Sequence, residues 1–306
     1  MSKRFPKTEI TLDGIYSKFA DDDFCKDFLL DIRFEKGFAC PFCGGSENRR
    51  IRSRHLLRCK FCKADISATN GTFMHRTHLP LRLWIITSFL IMSNKCSVSA
   101  VTLMRSLVVT YKTAWYILHR IRKAMKCREE RYLLDGIVEI DDTYLGAPTH
   151  GKKRGRGTEK VKLIVALSKS EAGHPMYLKM TDVPNLKGVT MGKFASKNIH
   201  EGSKIESDNA RSYKKPLAQK YFHVFETYDP TSDQLNWMHK VISNFKAMIM
   251  GTYHGKEKIH TALYAAEYCY KFNRRKLGNS AYLRLLAALV QCSYLWCVKG
   301  ITILFF

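Results

Sequence analysis

Four of the chain's ten cysteines fall in two pairs, Cys40 and Cys43 in CPFC and Cys59 and Cys62 in CKFC, with fifteen residues between the pairs. This spacing is that of a four-thiolate zinc site. Two residues between cysteines let a tight turn aim both sulfurs at one ion, and two such knuckles close a tetrahedron. Carboxylates offer a second chemistry. Asp141 closes the run IVEID and Asp208 closes KIESD, in a chain with few acids. Paired carboxylates beside a phosphodiester suit Mg²⁺ or Mn²⁺, hard cations that prefer oxygen ligands. Two such ions can activate an attacking oxygen and stabilise a leaving one.

The elements that must position these acids follow from the apolar patterning. Ile137–Asp141, Val161–Leu167 and Pro175–Met180 read as strands, Leu186–Ile199 as a helix, and Ser203–Asp208 as a fourth strand. Ser212–Lys220 reads as a helix, Phe222–Glu226 as a fifth strand, and Asn236–Met250 as a longer amphipathic helix. Three strands, helix, strand, helix, strand, helix is the order of a ribonuclease-H-like α/β domain with a mixed sheet. In that fold the first and fourth strands are neighbours, so Asp141 and Asp208 are expected at one end of the sheet. Asp142, one residue on, is expected on the opposite face.

Ahead of this domain the pattern is helical. Leu81–Ser93 reads as a buried helix, a second runs from Ser97 through Leu107, and Tyr111–Met125 follows a short turn. Ala114, Trp115, Ile117, Leu118, Ile121 and Ala124 are its expected apolar face, while Lys112, Arg120, Arg122, Lys123 and Lys126 surround it. Helix, short turn and basic helix is a helix-turn-helix arrangement, whose second helix enters the major groove. The resulting division is a helical lead-in at 1–35, a zinc ribbon at 36–72, a helical DNA-binding region at 79–131, a ribonuclease-H-like domain at 136–276 and an apolar helix or tail at 277–306.

Charge points to the partner. The 306 residues carry 51 Lys+Arg against 27 Asp+Glu, a net +24. So basic a chain implies nucleic acid first and an anionic surface second. Arg50, Arg52 and Arg54 lie in the loop between the two cysteine pairs, and Lys153, Arg154 and Arg156 in the glycine-spaced run GKKRGRG. Both are candidates for phosphate contact. No apolar stretch reaches the roughly 20 residues of a membrane span, since LWIITSFLIMS stops at 11. MSKRFPKTEI lacks the apolar core of a signal peptide. The expected setting is therefore a reducing compartment, with the other six cysteines as buried small hydrophobes.

Seven separated motifs carry a resemblance. CPFC with CKFC, VTYKTAWYILHRIRKAM at 109–125, VEIDDTYLG at 138–146, KKRGRG at 152–157, SDNARSY at 207–213, HKVISNFKAMIMGTYHG at 239–255 and YKFNRRK at 270–276 resemble, in order, the zinc-ribbon insertion-sequence transposases of the DDE superfamily. The resemblance covers roughly residues 15–290. It implies a catalytic set of Asp141, Asp208 and, at the third position, His239, with Lys246 as the lysine seven residues on. Most DDE enzymes carry Glu where His239 stands, and Asn244 is the fallback ligand. It further implies two catalytic Mg²⁺ or Mn²⁺ ions beside the structural zinc, with Mn²⁺ favoured because imidazole is a softer, uncharged ligand.

The function implied is a DNA transposase that cuts and joins transposon ends by phosphodiester hydrolysis and strand transfer. Its partners are the terminal inverted repeats and target DNA, and it acts as a homodimer or larger assembly, with no membrane role. It belongs with the nucleoid in a bacterium and in the nucleus of a eukaryote. The competing reading is a catalytically inactive, domesticated zinc-ribbon DNA-binding protein. A simple ribonuclease H fits less well, since it does not need the ribbon.

Overall fold

The structure, a computed structural model, describes residues 10–146, 159–218, 220–226, 235–253 and 258–292. The chain divides into two compact units, Met1–Arg128 with Arg275–Phe306, and Glu129–Arg274.

The first unit opens with α1 (Leu12–Lys18) and α2 (Asp22–Arg33). Asp21 caps α2 by accepting from the backbone N–H of Asp23 at 3.2 Å and of Phe24 at 3.0 Å, placing acid at the positive end of the helix. The ribbon follows as antiparallel β1 (Asn48–Ile51), β2 (Leu56–Cys59) and β3 (Asp65–Ile66), in that order. Acids spaced four apart along α2 hold it. Arg50 reaches Asp27 at 2.7 Å and Asp31 at 2.6 Å, and His55 Nδ1 lies 2.9 Å from Asp27. Its buried apolar residues are few, Cys40, Cys59 and Ile66 in one cluster backed by Phe34 and Phe38, with Leu57 on β2. A core that small needs a staple.

Helices α3 (Leu81–Ser93), α4 (Ala100–Leu107) and α5 (Tyr111–Glu129) match the helical reading. Asp22 accepts from the Leu81 N–H at 2.7 Å and so caps α3, while Ser99 caps α4 by accepting from Thr102 N at 3.0 Å. Ala114, Ile117, Leu118, Ile121 and Ala124 of α5 are buried as expected. Trp115 is not: it is 39% exposed and stacks on His119, because it sits one position off the buried stripe. Arg122, expected on the solvated side, is buried instead.

The second unit is built on a five-stranded mixed sheet. Its strands are β4 (Ile137–Leu145), β5 (Val161–Lys169), β6 (Pro175–Val183), β7 (Lys204–Asp208) and β8 (Phe222–Glu226), ordered β6-β5-β4-β7-β8. The first three pair antiparallel, and β7 joins β4, and β8 joins β7, in parallel. This is the expected ribonuclease-H-like order. On one face α6 (Gly188–Asn198) and α7 (Arg211–Ala218) pack over Val138, Ile140, Ile164 and Ile205. On the other, α8 (Asn236–Thr252) and α9 (Thr261–Asn273) pack over Leu145, Leu163, Val165 and Leu167. The ends of the unit are tied together: Arg274 meets Glu129 at 2.6 Å, and Asn273 donates to Glu129 at 2.6 Å.

One expectation needs correction. β4 does not stop at Asp141. It runs on to Leu145, because each residue from Asp141 to Leu145 finds a β5 partner, ending in Leu145 opposite Val161. Of the helix or tail expected at the C-terminus, the described part is helix. It forms α10 (Ala281–Gln291), which closes the core of the first unit: Phe73 N donates to Leu289 O at 3.2 Å, and Tyr282 meets Phe89 edge-on. Residues 293–306 lie outside the described residues.

Candidate active site and zinc centre

The four knuckle cysteines converge. Their sulfurs all lie within 4.8 Å of one another, with Cys40–Cys62 and Cys43–Cys59 each at 3.6 Å. A tetrahedron with 2.3 Å zinc–sulfur bonds has edges of about 3.8 Å, so the donor set fits zinc. Each knuckle turns the same way. Gly44 N donates to Cys40 O and Lys63 N to Cys59 O, and both turning residues adopt positive φ. Glycine does this freely, whereas Lys63 is held there. Against burial, which raises it, the backbone N–H groups of Cys62 and Phe61 draw the Cys59 thiol down to about 7. Cys62 goes the other way: against the Ala64 backbone N–H, burial and the neighbouring thiols push it up to about 12, so the first proton leaves the cluster at Cys59. Of the six other cysteines, Cys25, Cys269 and Cys292 are buried as expected, but Cys96 is exposed and Cys127 half-buried; Cys297 lies outside the described residues.

The two acids stand at neighbouring strand positions. The parallel β4–β7 register ends at Ile140 opposite Ser207, so Asp141 and Asp208 stand next along the two central strands. Alternation turns both toward the α8 face, since Ile140 and Ile205 belong to the opposite core. Asp142 lies on that opposite face, where its Oδ1 accepts from the Tyr213 hydroxyl at 2.7 Å. It is therefore tied to α7, away from the acids on the α8 side.

Helix α8 covers Asp141. Met238, Val241, Ile242, Phe245, Met248 and Ile249 bury its inner side. His239 rides at the edge of that side, its Nε2 3.6 Å from Asp141 Oδ2. Lys246, seven residues on, lies about 20° from His239 around the helix and is half-buried. Its charge acts on Asp141. Asn244 lies about 140° from His239 and is exposed, which removes the reason to prefer it as a ligand.

Burial pushes the Asp141 carboxyl up to about 7, and the charges of Asp142 and Asp208 add to the rise. The Asp142 backbone N–H and Lys246 oppose it. Two carboxylates that act on each other's charge in a half-dry site suit a divalent cation, which offsets the repulsion each imposes on the other. Among the described residues, however, only the four cysteines bring three or more ligand atoms within 4.8 Å of one another. Asp141 and His239 are in contact, while Asp208 Oδ1 accepts from Ala210 N at 3.2 Å.

A feature the sequence reading missed lies under the same face. Glu139, two residues before Asp141, is buried. Lys169 Nζ bridges it, at 2.8 Å, to Glu206 on β7, at 2.7 Å. Glu139 and Glu206 are register partners. The triad thus fastens the two strands that carry the candidate ligands. Its signal in the sequence was the i, i+2 pairs Glu139/Asp141 and Glu206/Asp208.

The candidate DNA contacts divide. Arg50 is held by Asp27 and Asp31, and Arg54 lies 3.2 Å from Asp65, which Arg58 also grips. Arg52 and Lys112 are exposed. Arg120 turns inward, donating to Phe73 O at 3.4 Å and lying over the Tyr116 ring. Lys153, Arg154 and Arg156 lie outside the described residues.

A ribbon with four converging thiolates and a mixed sheet with two adjacent acids define a zinc-ribbon protein with a ribonuclease-H-like second unit. Residues 20–65 match the transposase zinc-ribbon domain, and residues 133–273 match the ISXO2-like transposase domain. Together the two matches cover more than half of the chain, in the order the motifs gave, and the chain belongs to the zinc-ribbon insertion-sequence transposase family. No curated protein matches it. Among solved structures, a pre-cleavage Mos1 transpososome is similar at 13% identity and a TM-score of 0.26, over 64% of this chain and 75% of that one. A Mos1 mariner paired-end complex with Mn is similar at 13% and 0.27, over 67% and 74%. Scores this low leave the fold to rest on its own strand order. Among the described residues no helix is long and apolar enough to cross a membrane.

Proposed function

We propose that the chain is a DNA transposase that frees the ends of its element and joins them to target DNA by metal-dependent phosphodiester hydrolysis and strand transfer. The observation that carries this reading is the placement of Asp141 beside Asp208 on one sheet face, with His239 and Lys246 set over it by one helix. Asp141, Asp208 and His239 are the residues that would hold two Mg²⁺ or Mn²⁺ ions. When bound, such ions activate the attacking oxygen and stabilise the leaving one.

The chain's own residues do the rest. The Glu139–Lys169–Glu206 bridge fixes β4 against β7, and so fixes the separation of the two acids. Lys246 supplies a cation near Asp141 for a DNA phosphate. Hydrolysis leaves a 3′-hydroxyl, which attacks a target strand at the same site, so no nucleophilic serine or tyrosine is required. The ribbon and the α4–α5 pair hold the element ends, with Arg52 and Lys112 as the exposed phosphate contacts. Lys153, Arg154 and Arg156 join two strands of the same unit in sequence and are assigned to phosphate contact as well. Two ends must be held at once, which calls for a homodimer or larger assembly, acting wherever the host keeps its DNA.

The second reading, a DNA-binding protein without chemistry, is favoured by one observation: a neutral imidazole stands where a third carboxylate is usual. Incubating the full chain and Mn²⁺ with a duplex taken from the DNA flanking its gene, plus a supercoiled target, separates the two. Joined products lost in Asp208→Ala support the transposase. Specific binding without joining supports the second reading.

A further inference from the structure

From Ile66 to Arg128 the chain holds ten Lys or Arg and not one Asp or Glu across 63 residues. Such a stretch is complementary to a polyanion. Yet where α4 turns into α5 three large apolar groups stand exposed beside Arg105, Ser106 and Thr110. Val108 is 92% exposed, Tyr111 51% and Trp115 39%, with exposed Lys112 among them.

Two of these residues are held in fixed settings. Val108 ends α4 in the left-handed region, at φ 52° and ψ 49°. Glycine is at ease there, and a β-branched residue is strained. Its exposed side chain returns no packing for that strain. Trp115 stacks on buried His119, ring centroids 3.8 Å apart at 23°, so the indole is presented in one orientation. Tyr111 lies four residues before it, on the same side of the helix. Strained or pre-ordered exposed groups are the marks of a contact surface.

In a helix-turn-helix the first turns of the second helix meet base edges in the major groove. The apolar group a base pair offers there is the thymine 5-methyl. We infer that Val108, Tyr111 and Trp115 form an apolar reading surface that selects DNA sites by their thymine 5-methyl groups, while Lys112 holds a neighbouring phosphate. The inference rests on the DNA-transposase reading and names what its α4–α5 pair recognises. A protein could also cover an apolar patch, but exposed Arg105 and Lys112 beside it, and the lack of any acid from 66 to 128, favour DNA.

The test begins with duplexes selected from a random pool by the full, zinc-loaded chain. Each thymine of the selected site is then replaced by deoxyuridine, which removes only the methyl. Binding of the wild type is expected to weaken about fivefold or more at one or two positions. That penalty is expected to vanish in Trp115→Ala and in Val108→Gly. The glycine variant relieves backbone strain, so loss of folding does not explain its result. Lys112→Ala is expected to weaken thymine and deoxyuridine sites equally and to lower the salt slope by about 1. Equal wild-type binding of both duplexes overturns the inference, as does a penalty that survives in the two apolar variants. Variants that keep full DNA selectivity but lose self-association in sedimentation overturn it too, by making the patch a protein interface. A wild type that binds no duplex removes the DNA reading itself, whereas selective binding blind to the methyl removes only this inference.

Discussion

Replacing Lys169 by methionine tests whether the sheet beneath the candidate site depends on a buried charge bridge. Lys169 Nζ lies 2.8 Å from Glu139 and 2.7 Å from Glu206, whose side chains are 4% and 28% exposed. Both carboxylates hold its ammonium above the usual range, against the cost of burial. Glu206 keeps a second cation, Lys204 at 2.8 Å, but Glu139 has no other ion pair among the described residues. The variant leaves Glu139 as an uncompensated buried charge, at a cost of roughly 3–5 kcal/mol. Adding Glu139→Gln removes that charge and is expected to recover about 2–3 kcal/mol as a coupling between the two sites.

The pH dependence has a definite sign. In the wild type, Lys169 and Lys204 hold the Glu206 carboxyl below its ordinary value, despite burial. That support is present above the ordinary carboxylate range and is lost as pH falls through it. In Lys169→Met, Glu206 keeps only Lys204 and so has less of that support to lose. The deficit is therefore steady above the ordinary carboxylate range and shrinks as pH falls below it, by at most about 1.4 kcal/mol per pH unit. Native-state hydrogen exchange of β4 and β5 amides reads the opening of this sheet separately from the other unit. A deficit below about 1 kcal/mol, or one that grows on acidification, refutes the reasoning.

Further outcomes follow from the same geometry. Cys59→Ser, or a strong chelator, is expected to release one zinc per chain and open the ribbon, whose buried apolar core is small; dye-based zinc release with limited proteolysis of 36–72 checks this. Arg52→Ala is expected to lower the salt slope of DNA binding by about 1, while Arg50→Ala leaves the slope unchanged. The latter loosens the ribbon by no more than about 1 kcal/mol, because its partners Asp27 and Asp31 are 36% and 63% exposed. His239→Glu replaces a soft neutral ligand by a hard anionic one. It is expected to shift the metal preference of nicking from Mn²⁺ toward Mg²⁺, read by titrating each ion.

What could be read from the sequence was whatever the chain encodes locally. The zinc knuckles are two short turns, and their spacing alone specifies them. The sheet's strands and their order follow from runs of Val, Ile and Leu separated by helices. What depends on a distant partner was not legible. Asp141-Asp142-Thr143 reads as a strand end because it is polar, yet β5 pairs every one of these residues. Arg50 reads as a free cation because its partners Asp27 and Asp31 lie on a separate helix. Glu139 and Lys169 are ordinary surface charges until β4 and β5 come together. Trp115 looks apolar and hence buried, but helical phase places it one step outside the core.

The measurement that bears most directly on the central claim is nicking of supercoiled plasmid in Mn²⁺ by the full chain, with Asp141→Ala and Asp208→Ala alongside. It requires no knowledge of the element's ends. Nicking by the wild type that disappears in both variants, while their zinc content and plasmid binding persist, is the predicted result. Nicking that survives in either variant contradicts the assignment of these two acids to the metal site.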